Sequence, residues 1–299
     1  MDTGERASII AELTPPYTLR EPEEQLTPFV FCSPHSGRIY PKVLLESARL
    51  DAHALRKSED CYVDDIFASV VGLGAPLIAA RFPRAYLDVN REPYELDPEL
   101  FFERIPDFAN TQSVRVAGGL GTVPRVVADS EEIYRQKLSI GAGLERIDRL
   151  YRPFHAALGR LLDRTRHQFG TAILIDCHSM PSASTAQPGI GRPHFVLGDR
   201  FGASCDVKLT RFIRDVLAGA DYEVQLNRPY AGGFITEHYG KPARGVHALQ
   251  LEINRSLYLD ETTLQRTDGY HALAQAVSDL CARLFSEIPI LLEPRAAAE

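Results

Sequence analysis

Short apolar runs recur along this chain, and several stop at a polar residue able to do chemistry. Phe29–Cys32 ends in Ser33-Pro34-His35-Ser36-Gly37, and Ala172–Cys177 ends in His178. Val246–Ile253 carries Glu252 and runs into Asn254 and Arg255, while Ala85–Leu87 runs into Asp88-Val89-Asn90-Arg91. Short continuous apolar runs bounded by turn signals suit buried strands. Pro76–Phe82, Ala85–Val89, Phe195–Leu197 and Tyr222–Leu226 read as further strands. Helical periodicity fills the gaps. Ser58 reads as an N-cap ahead of the stripe Val63, Ile66, Phe67 and Val70. Glu131–Phe169 reads as helix in two pieces, weakened at Gly141 and Gly143, with Pro153 marking a kink or a start. Val207–Leu217 and Thr262–Ile288 are the remaining helices. Strand and helix alternate throughout, which predicts a single α/β domain with a central mixed, mostly parallel sheet flanked by helices. Residues 1–26 read as an N-terminal extension, 27–292 as the catalytic domain and 293–299 as a frayed tail.

Charge and composition narrow the partners. A net charge of -7 argues against nucleic acid, because phosphate binding needs a basic surface. The longest apolar run, Val70–Ala80, is interrupted by Gly72, Gly74 and Pro76 and is too short for a bilayer, so no membrane partner is expected. The first residues lack a signal-peptide pattern, and five scattered cysteines show no CxxC, which together predict a reduced, cytoplasmic setting.

In α/β sheets ligands gather at the carboxyl ends of strands. His35 and His178 sit at two such ends, and paired imidazoles suggest a metal with a carboxylate as third ligand. Asp60 is the first candidate, read as lying in the first turn of the helix that Ser58 caps, with Glu59, Asp64 and Asp65 as competitors. This ligand set suits hydrolytic zinc and also iron for oxygen chemistry. Asp176 shares a strand face with His178 and can support its imidazole from behind. Glu252 lies inside an apolar run, where a carboxylate must be paired or functional, and beside a metal it would serve as general base. An ion pair with Arg255 or another nearby arginine is the structural alternative. Asn90 and Arg91, helped by Arg84, suit a substrate carboxylate. The backbone at Gly232 and Gly233, within Tyr230–Phe234, can close over a small ligand. His247 and Cys177 read as core residues.

Seven segments, in order, resemble the N-formylglutamate amidohydrolase family: SPHSGRIYP (33–41), SEDCYVD (58–64), PRAYLDVNREP (83–93), DCHSMP (176–181), GDRFGASC (198–205), NRPYAGGFITEHYG (227–240) and HALQLEINR (247–255). The resemblance spans about Phe29 to Leu284. It implies a phosphorylase/hydrolase-like fold, similar to the zinc carboxypeptidase and aspartoacylase group. It also implies hydrolysis of N-formyl-L-glutamate, a small anionic N-acyl amino acid, to formate and L-glutamate in histidine degradation. His35, Asp60 and His178 would bind Zn2+ or another divalent metal, and Glu252 would be the catalytic glutamate. Arg38 stands where the carboxypeptidase HxxE pattern has its glutamate, which weakens the carry-over at Asp60. The alternatives are a related amidohydrolase for another N-acyl amino acid, a non-catalytic binding protein on this scaffold, and an iron oxygenase.

Overall fold

The structure is a computed structural model that describes residues 3–127, 130–185 and 192–292, so the expected tail lies outside the described residues. One sheet is built from β1 (Tyr17–Arg20), β2 (Phe29–Ser33), β3 (Leu77–Ala80), β4 (Ala172–Met180), β5 (Phe195–Gly198), β6 (Val224–Leu226) and β7 (Val246–Asn254). Their order is β1-β3-β2-β4-β7-β5-β6. β3, β2, β4 and β7 run parallel, β1 and β5 join antiparallel, and β6 lies parallel to β5. The domain is therefore α/β with a mixed, mostly parallel sheet. Every residue of β2, β3 and β4 is buried, as parallel strands covered on both faces require.

Alternation along β2 divides the core. Val30 and Cys32 join the cluster that includes the helix Arg152–Phe169, while Phe29 and Phe31 join the one that includes the helix Gly269–Leu292. Register then brings the chemistry together. Asp176 stands opposite both Cys32 and Gln250, and His178 opposite Glu252. The carboxyl ends of β2, β4 and β7 thus share one edge of the sheet.

Four local expectations need correction. Ala85–Val89 forms no strand. Tyr86 and Leu87 donate their N–H groups to the carbonyl of Pro83, so the proline starts a turn and the apolar side chains are buried from a loop. Ser58 caps no helix. The chain turns through 57–62, and the single helical turn Val63–Ile66 begins behind Tyr62, which is left-handed at φ 63°. Glu131–Phe169 becomes helical only at Ile140, where the Ser139 hydroxyl accepts from the Ala142 N–H. The Gly pair does not split that helix. A π-turn at Ile147–Tyr151 does, just ahead of Pro153, whose missing N–H removes an α-type bond. The last helix starts at Gly269, because Asp260 Oδ1 accepts from Thr262 and Thr263 and folds 259–266 into a small hairpin instead.

Residues expected as an extension form the helix Thr3–Glu12 and strand β1, and both pack on the domain. Ile9 and Leu13 enter the core, and Glu5 pairs with Arg146, both buried. Arg146 also donates to Tyr134 Oη at 2.7 Å and stacks 4.0 Å from the Tyr86 ring centroid. Removing one member of a buried pair leaves an uncompensated charge.

His155 anchors the Pro83–Asn90 loop from behind. Its Nε2–H donates to the Val89 carbonyl at 2.8 Å, and its Nδ1 lies 2.9 Å from the Tyr239 hydroxyl. Burial is the main cause that pushes its pKa down to about 4, against the Val89 bond, which raises it. The unfolded chain takes up a proton near pH 6.5 that the folded protein refuses. Stability from this group is complete above that pH and is lost as pH falls towards 4, by at most about 3 kcal/mol. Urea midpoints measured from pH 7 to pH 4 should fall more steeply for the wild type than for His155→Gln.

Candidate active site

His35 follows β2 in a turn closed by Ser33 Oγ and Ser36 Oγ at 2.8 Å. Gly37 is required there, since a Cβ would stand 2.1 Å from the Phe82 carbonyl oxygen. The His35 carbonyl accepts from the Asp60 N–H at 3.0 Å, which ties the two loops together. Asp60 Oδ2 lies 3.0 Å from His178 Nδ1 and 3.5 Å from His35 Nδ1. All three residues are buried, and one ligand atom from each falls within 4.8 Å of the others, a group that can hold a metal ion.

The outward sides of the imidazoles are equally specific. His35 Nε2 lies 2.7 Å from Asp88 Oδ1, so its proton is directed there and its Nδ1 is left with no hydrogen-bond partner. A buried lone pair facing a carboxylate and a second imidazole fits a cation. His178 Nε2 lies 3.1 Å from Asp176 Oδ1 and 3.2 Å from Asn90 Nδ2. It can accept from the amide or donate to the carboxylate, and the state of Nδ1 decides which. With Nδ1 given to a cation, Nε2 carries the proton and serves Asp176, whose two oxygens otherwise have no hydrogen-bond partner.

The acids differ in state. Burial alone would raise Asp60, but its hydrogen bond to His178 and the nearby His35 imidazole hold it well below the usual carboxylate range. Asp88 is likewise held low against burial by Arg91, His35 and Arg84. Burial would lower His178, yet Asp176 and Asp60 raise its proton affinity well above the ordinary value, and the same negative charge attracts a divalent cation. Glu252 is different. Burial pushes it up to about 7, opposed by His178 and Arg84 and assisted by Asp60 and Asp176. Its Oε1 accepts from Gln250 Nε2 at 2.8 Å. Such a carboxyl is suited to exchange protons near neutrality.

A cavity of about 350 Å3 opens on this group, lined among others by Asp60, His178, Glu252, Arg84, Arg91 and Tyr230. Arg84 donates to Asp88 Oδ2 at 2.7 Å, and Arg91 donates to the Leu120 carbonyl at 2.9 Å. Asn90 plays another part than the one its pairing with Arg91 suggests. Its Oδ1 accepts from the Ile235 N–H at 2.7 Å, and its amide packs on Gly233, where a Cβ would stand 2.4 Å away. Gly233 in turn donates to Gln250 Oε1, and Gly232 is left-handed at φ 116°. These glycines let the loop approach Asn90 closely and carry Tyr230 to the cavity wall.

The competing carboxylates are used elsewhere. Glu59 pairs with Arg56 and accepts from Tyr40, whereas Asp64 and Asp65 pair with Arg38. Arg255 pairs with Asp60 Oδ1 at 3.1 Å rather than with Glu252. His247 accepts from the Asp206 N–H, and Cys177 is buried. Asp88, which meets His35, is the site residue to which the sequence assigns a place but no role. It is a carboxylate inside the apolar run Ala85–Val89, the same signal that singled out Glu252.

An α/β domain with two histidines at its strand ends and an aspartate from an adjoining turn, beside a glutamate that ionises near neutrality, has the layout of a metal-assisted hydrolase. Comparison with known proteins agrees. The N-formylglutamate amidohydrolase family profile matches residues 27–259. N-formylglutamate deformylase from Pseudomonas putida is 32% identical over 239 residues, covering 79% of this chain and 83% of that protein. The deformylase from Pseudomonas aeruginosa is 30% identical over 269 residues, covering 87% and 92%. The crystal structure of N-formylglutamate amidohydrolase from Ralstonia eutropha JMP134 superimposes with a TM-score of 0.87 at 33% identity, covering 93% of this chain and 99% of that one. This chain belongs to the N-formylglutamate amidohydrolase family, hydrolases of carbon–nitrogen bonds other than peptide bonds.

Replacing the carboxylate behind a metal-bound histidine weakens metal binding about 10- to 100-fold. Asp88→Asn should lower the affinity of this group for a divalent metal by that factor in a chelator competition while circular dichroism stays native. Asp60→Ala should remove the metal altogether, and unchanged metal content in that variant would move the ligand elsewhere.

Proposed function

We propose that this protein hydrolyses N-formyl-L-glutamate to formate and L-glutamate, with zinc held by His35, Asp60 and His178. One observation carries the reading: Glu252, with its raised pKa, stands beside His178 in register, at the mouth of a buried ligand group with an unpaired imidazole nitrogen. Bound there, zinc would acidify a water molecule and polarise a carbonyl oxygen. The remaining work falls to the chain's own side chains. Glu252 as carboxylate takes a proton from water as its oxygen attacks the formyl carbon. The carbon–nitrogen bond then breaks, and Glu252 returns the proton to the leaving nitrogen, which departs as the amine of glutamate. Arg84 and Arg91 offer positive charge to the substrate carboxylate next to that nitrogen. Asn90 orients His178 and the Gly233 loop, and Asp176 and Asp88 orient the imidazoles.

The relatives' names support the substrate, since both curated matches are N-formylglutamate deformylases. We assign the reaction to histidine breakdown in the cytoplasm. Among the described residues no helix is long and apolar enough to cross a membrane.

Purified protein should release formate from N-formyl-L-glutamate, lose that activity to a chelator and regain it with zinc. No formate under any metal loading would sink the reading. Hydrolysis of N-acetyl or N-succinyl amino acids in preference would shift it to a related amidohydrolase. Glu252→Gln should keep its zinc and lose roughly 10^2- to 10^4-fold in kcat. Because the base must be ionised, kcat/KM should fall as pH drops through the Glu252 pKa, and the variant's residual rate should lack that limb.

A further inference from the structure

The family reading leaves one question about this cavity. N-formyl-L-glutamate has two carboxylates, and Arg84 with Arg91 accounts for one. The lining holds four cationic side chains among the described residues: Lys57, Arg84, Arg91 and Arg255. Arg255 is fully committed. Its Nε donates to Ser179 Oγ, and its terminal nitrogens donate to the carbonyls of Lys57 and Glu59 and to Asp60 Oδ1. Lys57 is not so committed. Its Nζ makes one ion pair, 3.2 Å from Glu131 Oε2, and both partners are more than a third exposed. Exposed pairs of this kind are weak and exchange readily.

Beside it stands Ser58. Its hydroxyl is shielded from solvent, has no hydrogen-bond partner, and belongs to the cavity wall. A covered hydroxyl without a partner costs free energy unless something arrives to bond it. The segment bearing both residues is rigid, because Arg255 grips the carbonyls on either side of Ser58.

The two cationic ends are tied to different members of the ligand group. Arg84 contacts Asp88, which contacts His35 directly. That short path suits the carboxylate attached next to the scissile amide. Lys57 and Ser58 connect to the group through Arg255, which donates to the Lys57 carbonyl and to Asp60 Oδ1, and Asp60 faces His35 Nδ1 whereas Asp88 faces Nε2. A second cation, tied to a different member of the ligand group, suits the substrate's other carboxylate, at the end of its side chain.

We propose that Lys57 and Ser58 form the subsite for the side-chain carboxylate and so set the preference for an acidic amino acid. The proposal rests on the hydrolase reading above. In it, Lys57 Nζ leaves Glu131 for the substrate, and Ser58 Oγ donates to a carboxylate oxygen. Neither residue touches the reacting atoms, so their loss acts on binding and not on the chemical step.

The test compares N-formyl-L-glutamate with N-formyl-L-glutamine, which has nearly the same shape and no side-chain charge. Zinc-loaded Lys57→Met should raise KM for the glutamate substrate roughly tenfold or more, keep kcat within about twofold, and leave the glutamine substrate unchanged. Ser58→Ala should act the same way more weakly, and Lys57→Arg should retain most of the preference. Equal effects on both substrates, or none on either, would overturn the proposal. Calorimetric binding of L-glutamate against L-glutamine separates the two readings. Preference for L-glutamate that disappears in Lys57→Met supports the subsite even if formate release is absent, an outcome that would sink the catalytic reading alone. Equal binding of the two amino acids by the wild type would overturn the subsite whatever the turnover.

Discussion

Four carboxylates, Asp60, Asp88, Asp176 and Glu252, are buried at one edge of the sheet. Like charges removed from water repel strongly, and the fold around them is largely an answer to that problem. Arg84 and Arg91 neutralise Asp88, and Arg255 neutralises Asp60. Two of these arginines also use their remaining donors on main-chain carbonyls. Arg91 reaches those of Leu120 and Asn90, and Arg255 reaches those of Lys57 and Glu59. The charges that solve the burial problem therefore also hold the irregular segments in place. Glu252 solves it another way, by holding its proton up to about pH 7. Asp176 makes no hydrogen bond, and its nearest compensation is the His178 imidazole.

The helix behind the site does comparable work without charge. Tyr151 ends its π-turn and donates its hydroxyl to the Arg91 carbonyl at 2.8 Å. His155, one turn on, donates to the Val89 carbonyl. The Pro83–Arg91 segment has no sheet partner, so these two bonds and the Asp88 N–H bond to the Thr122 carbonyl replace a ladder. This explains how a loop can present Arg84, Asp88 and Arg91 as firmly as a strand would.

Much of this was legible in the sequence because strand ends announce themselves. His35, His178 and Glu252 terminate or interrupt apolar runs, and the parallel register of β2, β4 and β7 converts three sequence positions into one site. Residues whose roles depend on tertiary partners were harder to read. The sequence places Asp60 at the opening of a helix, whereas it sits in a turn fixed by the His35 carbonyl. Arg255 adjoins Glu252 in sequence by only three positions, yet it lies in the 3-10 turn after β7 and points to Asp60. Asn90 beside Arg91 suggested one carboxylate clamp. The Ile235 N–H and the Gly233 backbone, more than a hundred residues away, claim its amide instead. No local pattern encodes such meetings.

The charge balance also bears on how an anion enters a protein of net charge -7. With the histidines neutral and Glu252 ionised, as its role as base requires, the four buried carboxylates exceed the three arginines paired around them by one negative charge. A site in that state repels a dicarboxylate. A divalent cation at His35, Asp60 and His178 reverses the sign to one positive charge, at the point where the substrate's reacting group must come. Low local dielectric magnifies that reversal relative to bulk water. The protein's surface charge then works against the substrate only at long range, where salt screens it, while the buried centre works in its favour over the last few ångströms. On the proposed reading, a cation in the His/Asp/His group is thus a condition for binding as well as for chemistry. The arginines alone, already matched by carboxylates, cannot supply that attraction.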